Sequence, residues 1–214
     1  MSVEAVLWDF GGVLTSSPFE AFNRYEAARG LPRDFIRRVN AANPDANAWA
    51  LFERAEITTA EFDVKFLAEA SALGHEVRGG DVLPLLSGDI RPKMVAALEA
   101  CRARFKVGCI TNNVKSGSGA GMAGSMEKAD AVAAIMARFH HVIESSKAGL
   151  RKPDPRIYAL MCEALDVDPA RCVYLDDLGV NLKPARAMGM ATIKVEGEAQ
   201  ALVDLAAATG IDLT

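Results

Sequence analysis

The chain has 214 residues, 24 Lys+Arg against 28 Asp+Glu, a formal net charge of −4 and 50% hydrophobic residues. That length suits one large domain, or a core with a smaller insertion, and such a chain buries roughly 70% of its unfolded surface without disulfide staples. The acidic balance excludes a dedicated nucleic-acid binder, and no apolar run approaches the roughly 18 residues of a membrane span.

The opening MSVEAVLWDF carries Glu4 and no basic segment, so it does not read as a signal peptide, and a cytoplasmic location is expected. An apolar run at Ala5–Trp8 reads as the first strand. From 16 to 88 only helical segments follow, at 19–29, 34–40 and 59–73, the last opened by Thr58 or Thr59 with an acid downstream. Phe19, Phe22, Trp49 and Phe52 are expected in the core of this segment, with one or two lining a pocket. Arg33, Arg37 and Arg38 read as a solvated face, with an anionic substrate as the alternative contact. Met94, Ala97, Leu98 and Cys101 fall at i, i+3, i+4 and i+7 behind Pro92, which predicts a helix.

A second strand is expected at 106–110. The small-residue stretch 115–125 then reads as a mobile loop. Its Gly119, Gly121 and Gly124 spell GxGxxG, but they stand too far from the strand end at Ile110 to cradle a pyrophosphate. Further strands are expected at 141–144, 172–175 and 191–195. Between them a helix is read from Ile157, Leu160, Met161, Ala164 and Leu165, and a short one capped by Asn181 and closed by Gly189. Adjacent His140 and His141 would point to opposite faces of a strand, and His75 stands alone, so none suggests a metal or catalytic role. Cys101, Cys109, Cys162 and Cys172 form no CxxC pair and read as buried free thiols.

Strands alternating with helices predict an α/β doubly wound parallel sheet, with a core at 1–15 and 89–214 and a helical cap at 16–88. In open α/β sheets the ligand crevice lies at the carboxyl ends of the strands, and the cap springs from one of them. Four polar clusters would meet there: Asp9 with Gly11 and Gly12; Thr111, Asn112 and Asn113; Lys152 within GLRKPDP; and Asp176 with Asp177. Crowded carboxylates repel and call for a cation, and hard oxygen ligands suit Mg²⁺. A Thr hydroxyl, backbone N–H groups and a Lys suit phosphate oxygens. A carboxylate nucleophile beside Mg²⁺ points to phosphoryl transfer through an aspartyl-phosphate. Any one cluster alone reads as a cap, a turn or a solvated side chain; their joint appearance points to an active-site rim.

The motifs VLWDFGGVL, CITNN, GLRKPDP and YLDD, in that order, resemble the haloacid dehalogenase superfamily of aspartate-nucleophile hydrolases. ITNN, VIESSKAGLRKPDPRIY and YLDDLGVNLKPARAMGM are also similar to the N-terminal phosphatase domain of soluble epoxide hydrolases and to the phosphatase-like domain of acyl-CoA dehydrogenase fusions. The resemblance implies a central first strand flanked by the second and fourth. It implies Asp9 as nucleophile, Thr111 and Asn112, with Asn113 adjoining, as holders of the phosphoryl group, and Lys152 as its counter-charge. Asp9, Asp177 and the Gly11 carbonyl would ligate Mg²⁺, with Asp176 beside them.

Most phosphatases of this family carry an Asp where this chain has Gly11, and loss of that acid removes roughly 10²–10⁴ in rate for a poor leaving group. Three readings follow. The substrate needs little leaving-group protonation, as an anomeric sugar, acyl or aryl phosphate does; another group supplies the proton; or the chain only binds phosphate. A metal-independent 2-haloacid dehalogenase also fits Gly11, because halide leaves unprotonated. Against it stand the Asp176–Asp177 pair and a stretch at 15–20 without arginine. The expected function is a phosphatase of a small phosphorylated substrate, with a homodimer left open.

Overall fold

The structure is a computed structural model and describes residues 2–113 and 126–213. The glycine-rich stretch 115–125, with its GxGxxG spacing, lies outside the described residues. Five parallel strands form one sheet: β1 Ala5–Trp8, β2 Lys106–Thr111, β3 His141–Glu144, β4 Cys172–Asp176 and β5 Ala191–Lys194, in the order β3-β2-β1-β4-β5. As expected, β1 is central between β2 and β4. Trp8 lies level with Cys109 and Leu175, so the chain leaves β1, β2 and β4 on the same rim of the sheet.

Side chains alternate across a strand, and here both faces are covered, which is why the strands read as apolar runs. Val6, Trp8, Val107, Cys109, Val173 and Leu175 pack on one face under α6 Pro92–Arg102, α7 Met126–Met136 and α11 Glu198–Thr209. Ala5, Leu7, Ile110, Ile143 and Tyr174 pack on the other under α9 Pro155–Leu165 and α10 Gly179–Ala187.

Between β1 and α6 lie α1 Pro18–Ala28, α2 Phe35–Ala41, α3 Ala48–Glu53, α4 Thr59–Ala72, α5 Gly79–Val82 and a 3₁₀ turn at Leu83–Leu86. They enclose their own core, in which Phe22, Phe35, Phe52, Phe62 and Phe66 are buried and Phe19 and Trp49 half-buried. Thr58 caps the helix α4, where a reciprocal capping box with Glu61 satisfies two free backbone N–H groups. The two chain crossings into these helices are pinned together. Thr15 bridges to Ile90, Ser16 N–H donates to Asp89 O at 2.7 Å, and Arg91 N–H donates to Leu14 O at 2.9 Å.

Some expectations need correction. On α9 the buried face is Ile157, Tyr158, Met161, Cys162 and Leu165, while Leu160 is 40% exposed and Ala164 faces solvent. The apolar spacing admitted two adjacent stripes, and Tyr158 won because its hydroxyl donates to the Asn181 carbonyl. Asn181 is no N-cap: α10 starts earlier, at Gly179, and the Asn181 side chain turns inward to Asp176. α3, α5, α7, α8 (Ser145–Ala148) and α11 fall outside the helices expected above. α5 and α8 are too short to display a helical period. All four cysteines are free and buried. His140 is exposed and its Nδ1 accepts from Val107 N–H, while His75 meets the Phe35 ring edge-on. No helix among the described residues is long and apolar enough to cross a membrane.

Candidate active site

β1 ends at Trp8, and the next residue, Asp9, is 8% exposed. Its N–H donates to Leu175 O at 2.8 Å, which fixes it against β4, and its Oδ1 accepts from Phe10 N–H at 2.6 Å. The Lys152 ammonium, 1% exposed, stands 2.8 Å from Asp9 Oδ1 and 2.8 Å from Asp176 Oδ2. Asn112 holds the backbone that delivers this lysine: its amide accepts from Lys152 N–H at 2.9 Å and donates to Lys152 O at 3.1 Å. Burial alone would lower the lysine pKa, but Asp176 and Asp9 outweigh it and hold the ammonium charged.

Asp176 is fully buried and saturated with donors. Lys152, the Tyr174 hydroxyl and Asn181 converge on Oδ2, and Leu178 N–H reaches Oδ1 at 2.8 Å. Asp177 is less enclosed, and its Oδ2 accepts from the Ser17 hydroxyl at 3.1 Å. Gly12, at φ +76°, lies under this carboxylate: a Cβ there would fall 2.2 Å from Asp177 Oδ2. A Cβ on Gly11 would meet nothing within 4 Å.

Asp9, Asp176 and Asp177 each place a carboxylate oxygen within 4.8 Å of the others. Burial, then Asp176 and Asp177, drives Asp9 well above the ordinary carboxylate range, against the opposing pull of Lys152. Burial and then Asp176 push Asp177 up to about 6. Three carboxylates against one ammonium leave uncompensated negative charge at this rim. The residues therefore fit a hard divalent cation, with Asp9 and Asp177 as the carboxylates whose protonation it would reverse.

Thr111 closes β2 and is buried. The Asn113 amide is committed elsewhere, donating to Glu144 Oε1 at 2.8 Å and accepting from the Ser146 hydroxyl at 2.9 Å. It braces the turn after β3. Thus Asp9, Asp176 and Asp177 cluster together with Lys152 bonded to Asp9 and Asp176, Asn112 holds the Lys152 backbone, Thr111 ends the neighbouring strand, and the Asn113 side chain is bonded to Glu144 and Ser146.

Several partners escaped the sequence reading. Tyr174 shares a strand face with Asp176, an i, i+2 relation that could have announced it. Ser17, Glu53, Arg91 and Arg151 carried no local signal. The Arg91 guanidinium donates to Gly12 O at 2.8 Å. Glu53, at the end of α3, joins the helical insertion to the sheet. Its carboxylate accepts from Trp49 Nε1 at 2.9 Å and from Arg151 Nε at 2.6 Å, and its carbonyl accepts from the Ser145 hydroxyl at 2.8 Å.

A doubly wound sheet with an acidic, lysine-bearing strand-end site and a helical insertion after its first strand defines a class of hydrolases. The family model of haloacid dehalogenase-like hydrolases matches residues 3–189, and the chain belongs to that family. It is 32% identical to acyl-CoA dehydrogenase family member 10 of Mus musculus over 99% of its length, and 32% identical to bifunctional epoxide hydrolase 2 of Sus scrofa over 100%. It spans only 20% and 40% of those two proteins. Phosphatase MT3486 of Mycobacterium tuberculosis (strain CDC 1551 / Oshkosh) is 33% identical over 94% of this chain and 90% of its own. Among solved structures, the HAD family enzyme BT-2542 of Bacteroides thetaiotaomicron, in complex with magnesium and inorganic phosphate, superposes with a TM-score of 0.57 at 19% identity. That match covers 92% of this chain and 97% of the other.

Proposed function

We propose that the protein is a Mg²⁺-dependent phosphatase of small organic phosphates whose leaving group needs little protonation. The observation that carries this reading is the Lys152 ammonium 2.8 Å from Asp9 inside a cluster of three carboxylates. Asp9 attacks phosphorus in line, Lys152 balances charge on the transferring group, and the Thr111 hydroxyl and backbone N–H groups hold its oxygens. Water then cleaves the aspartyl-phosphate. Mg²⁺ held by Asp9, Asp177 and the Gly11 carbonyl would supply charge neutralisation at the phosphoryl oxygens. Asp176, saturated by its four donors, fixes Lys152. Residues 16–88 act as a cap that excludes water during the first half-reaction.

The phosphatase named among the relatives and the magnesium-and-phosphate complex among the fold neighbours both accord with this reading. Gly11 supplies no proton donor, which restricts efficient substrates to anomeric sugar, acyl or aryl phosphates. The dehalogenase reading also uses Asp9 as its nucleophile, but it gives Asp177 beside Asp9 no task.

Phosphate release from p-nitrophenyl phosphate and from an alkyl phosphate, each with Mg²⁺ and with excess chelator, tests the proposal. Metal-dependent cleavage of the aryl ester, with the alkyl ester at least tenfold slower, is expected. Asp9→Asn should abolish it without loss of fold, since the amide is no nucleophile. Absence of cleavage of both esters would overturn the proposal in favour of a phosphate-binding module or, if halide is released from a 2-haloacid in chelator, the dehalogenase.

A further inference from the structure

The four thiols divide between the two faces of the sheet. Cys101 and Cys109 belong to the core under α6, α7 and α11, and Cys162 and Cys172 to the core under α9 and α10. The site at the carboxyl rim makes no use of the second pair. Cys172 opens β4 at the end opposite Asp176, and Cys162 lies in the last turn of α9.

The fold brings these two together. α9 follows β3 and leads into β4, and because the strands are parallel it runs back antiparallel to β4. In its first turn Tyr158 meets Tyr174 edge-on, with ring centres 5.4 Å apart. Four residues along a helix advance about 6 Å, and two along a strand about 6.6 Å. One turn on from Tyr158 is Cys162; two residues back from Tyr174, on the same face of β4, is Cys172. The register therefore sets one sulfur over the other, and the two thiols are hydrogen-bonded to each other. The Cys172 S–H has a further acceptor in Asp168 O at 3.4 Å.

A buried thiol is ordinarily inert, and burial raises the pKa of Cys101 and of Cys109 accordingly. Cys162 departs from that pattern. The hydrogen bond from Cys172 outweighs burial and lowers its pKa, so Cys162 is the member of the pair that forms a thiolate first. Its place also gives access. Asp166 leaves α9 in the left-handed conformation, and Glu163 and Ala164 beside Cys162 are exposed. Helix ends open locally far more readily than the fold unfolds, which admits a small reagent to this turn.

We infer that Cys162 and Cys172 form a redox site, a dithiol that closes to a disulfide joining the last turn of α9 to the start of β4. The co-reactant is a low-molecular-weight disulfide of the glutathione type. The Cys162 thiolate attacks one of its sulfurs and expels the first small thiolate, which takes up the proton that Cys162 released. The Cys172 thiolate then attacks the Cys162 sulfur of the mixed disulfide and expels the second, which takes up the Cys172 proton. One small disulfide is reduced to two thiols while the protein dithiol is oxidised. The new bond closes a loop over the nine residues 163–171, which restricts the unfolded chain. It leaves the carboxyl rim of the sheet untouched, and the inference is independent of the phosphatase reading.

The test incubates the reduced, folded protein with excess oxidised glutathione at mildly alkaline pH, then alkylates it and digests it with trypsin. Cleavage after Arg156, Arg171 and Arg186 puts the two cysteines on separate peptides, 157–171 and 172–186, since the Lys183–Pro184 bond resists trypsin. The two peptides should appear as one linked species that reductant separates, and thiols counted in denaturant should fall from four to two. Tm should rise by roughly 5 °C, the effect of closing so short a loop in a chain of this size, and return with reductant. In Cys172→Ala, Cys162 should retain glutathione as a mixed disulfide, and in Cys162→Ala, Cys172 should stay reduced. Four thiols surviving the treatment, glutathione retained on Cys162 of the unaltered chain, or a link that recruits Cys101 or Cys109 each overturns the proposal. The readouts on the unaltered chain decide the matter even where a variant folds poorly.

Discussion

Two adjacent glycines answer to opposite constraints. Gly12 is required twice over, by its φ of +76° and by the 2.2 Å that would separate a Cβ from Asp177 Oδ2. Gly12→Ala should displace that carboxylate and weaken Mg²⁺ activation at least tenfold, read as the metal midpoint of aryl phosphate cleavage; an unchanged midpoint would remove Asp177 from the metal site. Gly11 has open space where a side chain would go. Its glycine is thus a matter of chemistry rather than fit. Gly11→Asp should fold normally and raise alkyl phosphate hydrolysis by roughly 10²-fold or more, the lower end of what a positioned acid contributes. A variant that stays slow on alkyl esters while cleaving aryl ones would mean that the missing acid is not what limits the enzyme.

At the scale of elements, α3 is the piece of the insertion that grips the sheet. Glu53 is buried, and burial raises its carboxyl pKa in spite of Arg151, so the pair exists only because each partner compensates the other. Arg151 immediately precedes Lys152, which makes the grip part of how the Lys152 ammonium is presented to Asp9 and Asp176. Breaking one side of a buried pair costs about 3 kcal/mol. Arg151→Met should therefore lower Tm clearly, and the double variant Arg151→Met, Glu53→Gln should recover much of the loss. If the single variant melts as high as the double, the pair carries no net coupling. Hydrogen exchange in α3 should accelerate in the single variant, because this is the contact that holds it down.

For the whole molecule, the carboxylate cluster sets how stability answers to pH and metal. Folded Asp177 titrates near 6 against an ordinary 3.8, so between those values the folded state binds more protons than the unfolded state. By that sign, Asp177 costs the metal-free protein stability as pH rises from about 4 to about 6, and Asp9, shifted the same way, adds to that cost. A bound cation favours the deprotonated carboxylates and reverses the trend. Thermal melts from pH 4 to 8 should show Tm falling with pH in chelator, and a Mg²⁺-induced rise in Tm that grows with pH. A Mg²⁺ shift that shrinks as pH rises would contradict the assignment of the metal to Asp9 and Asp177.

Much of this architecture is written locally. The strands betray themselves as apolar runs because both sheet faces are covered, and all five start where the sequence puts them. The polar residues closing those runs locate Asp9, Thr111, Asp176 and Asp177, since a parallel sheet carries all its carboxyl ends to one rim, and Lys152 follows in the loop after β3. The helices α3, α5 and α8 were not legible, because a turn or so of chain shows no period and is held by what it packs against. Nor was the inward turn of Asn181, the donor set around Asp176, or the pairing of Glu53 with Arg151. Those contacts join residues far apart in sequence or depend on which side of a helix is buried. The sequence by itself determined which groups stand at the sheet's rim. Only the tertiary structure decided which carboxylate is saturated, which glycine is obligatory and which residue of the insertion grips the sheet, because each of these depends on distances across the fold.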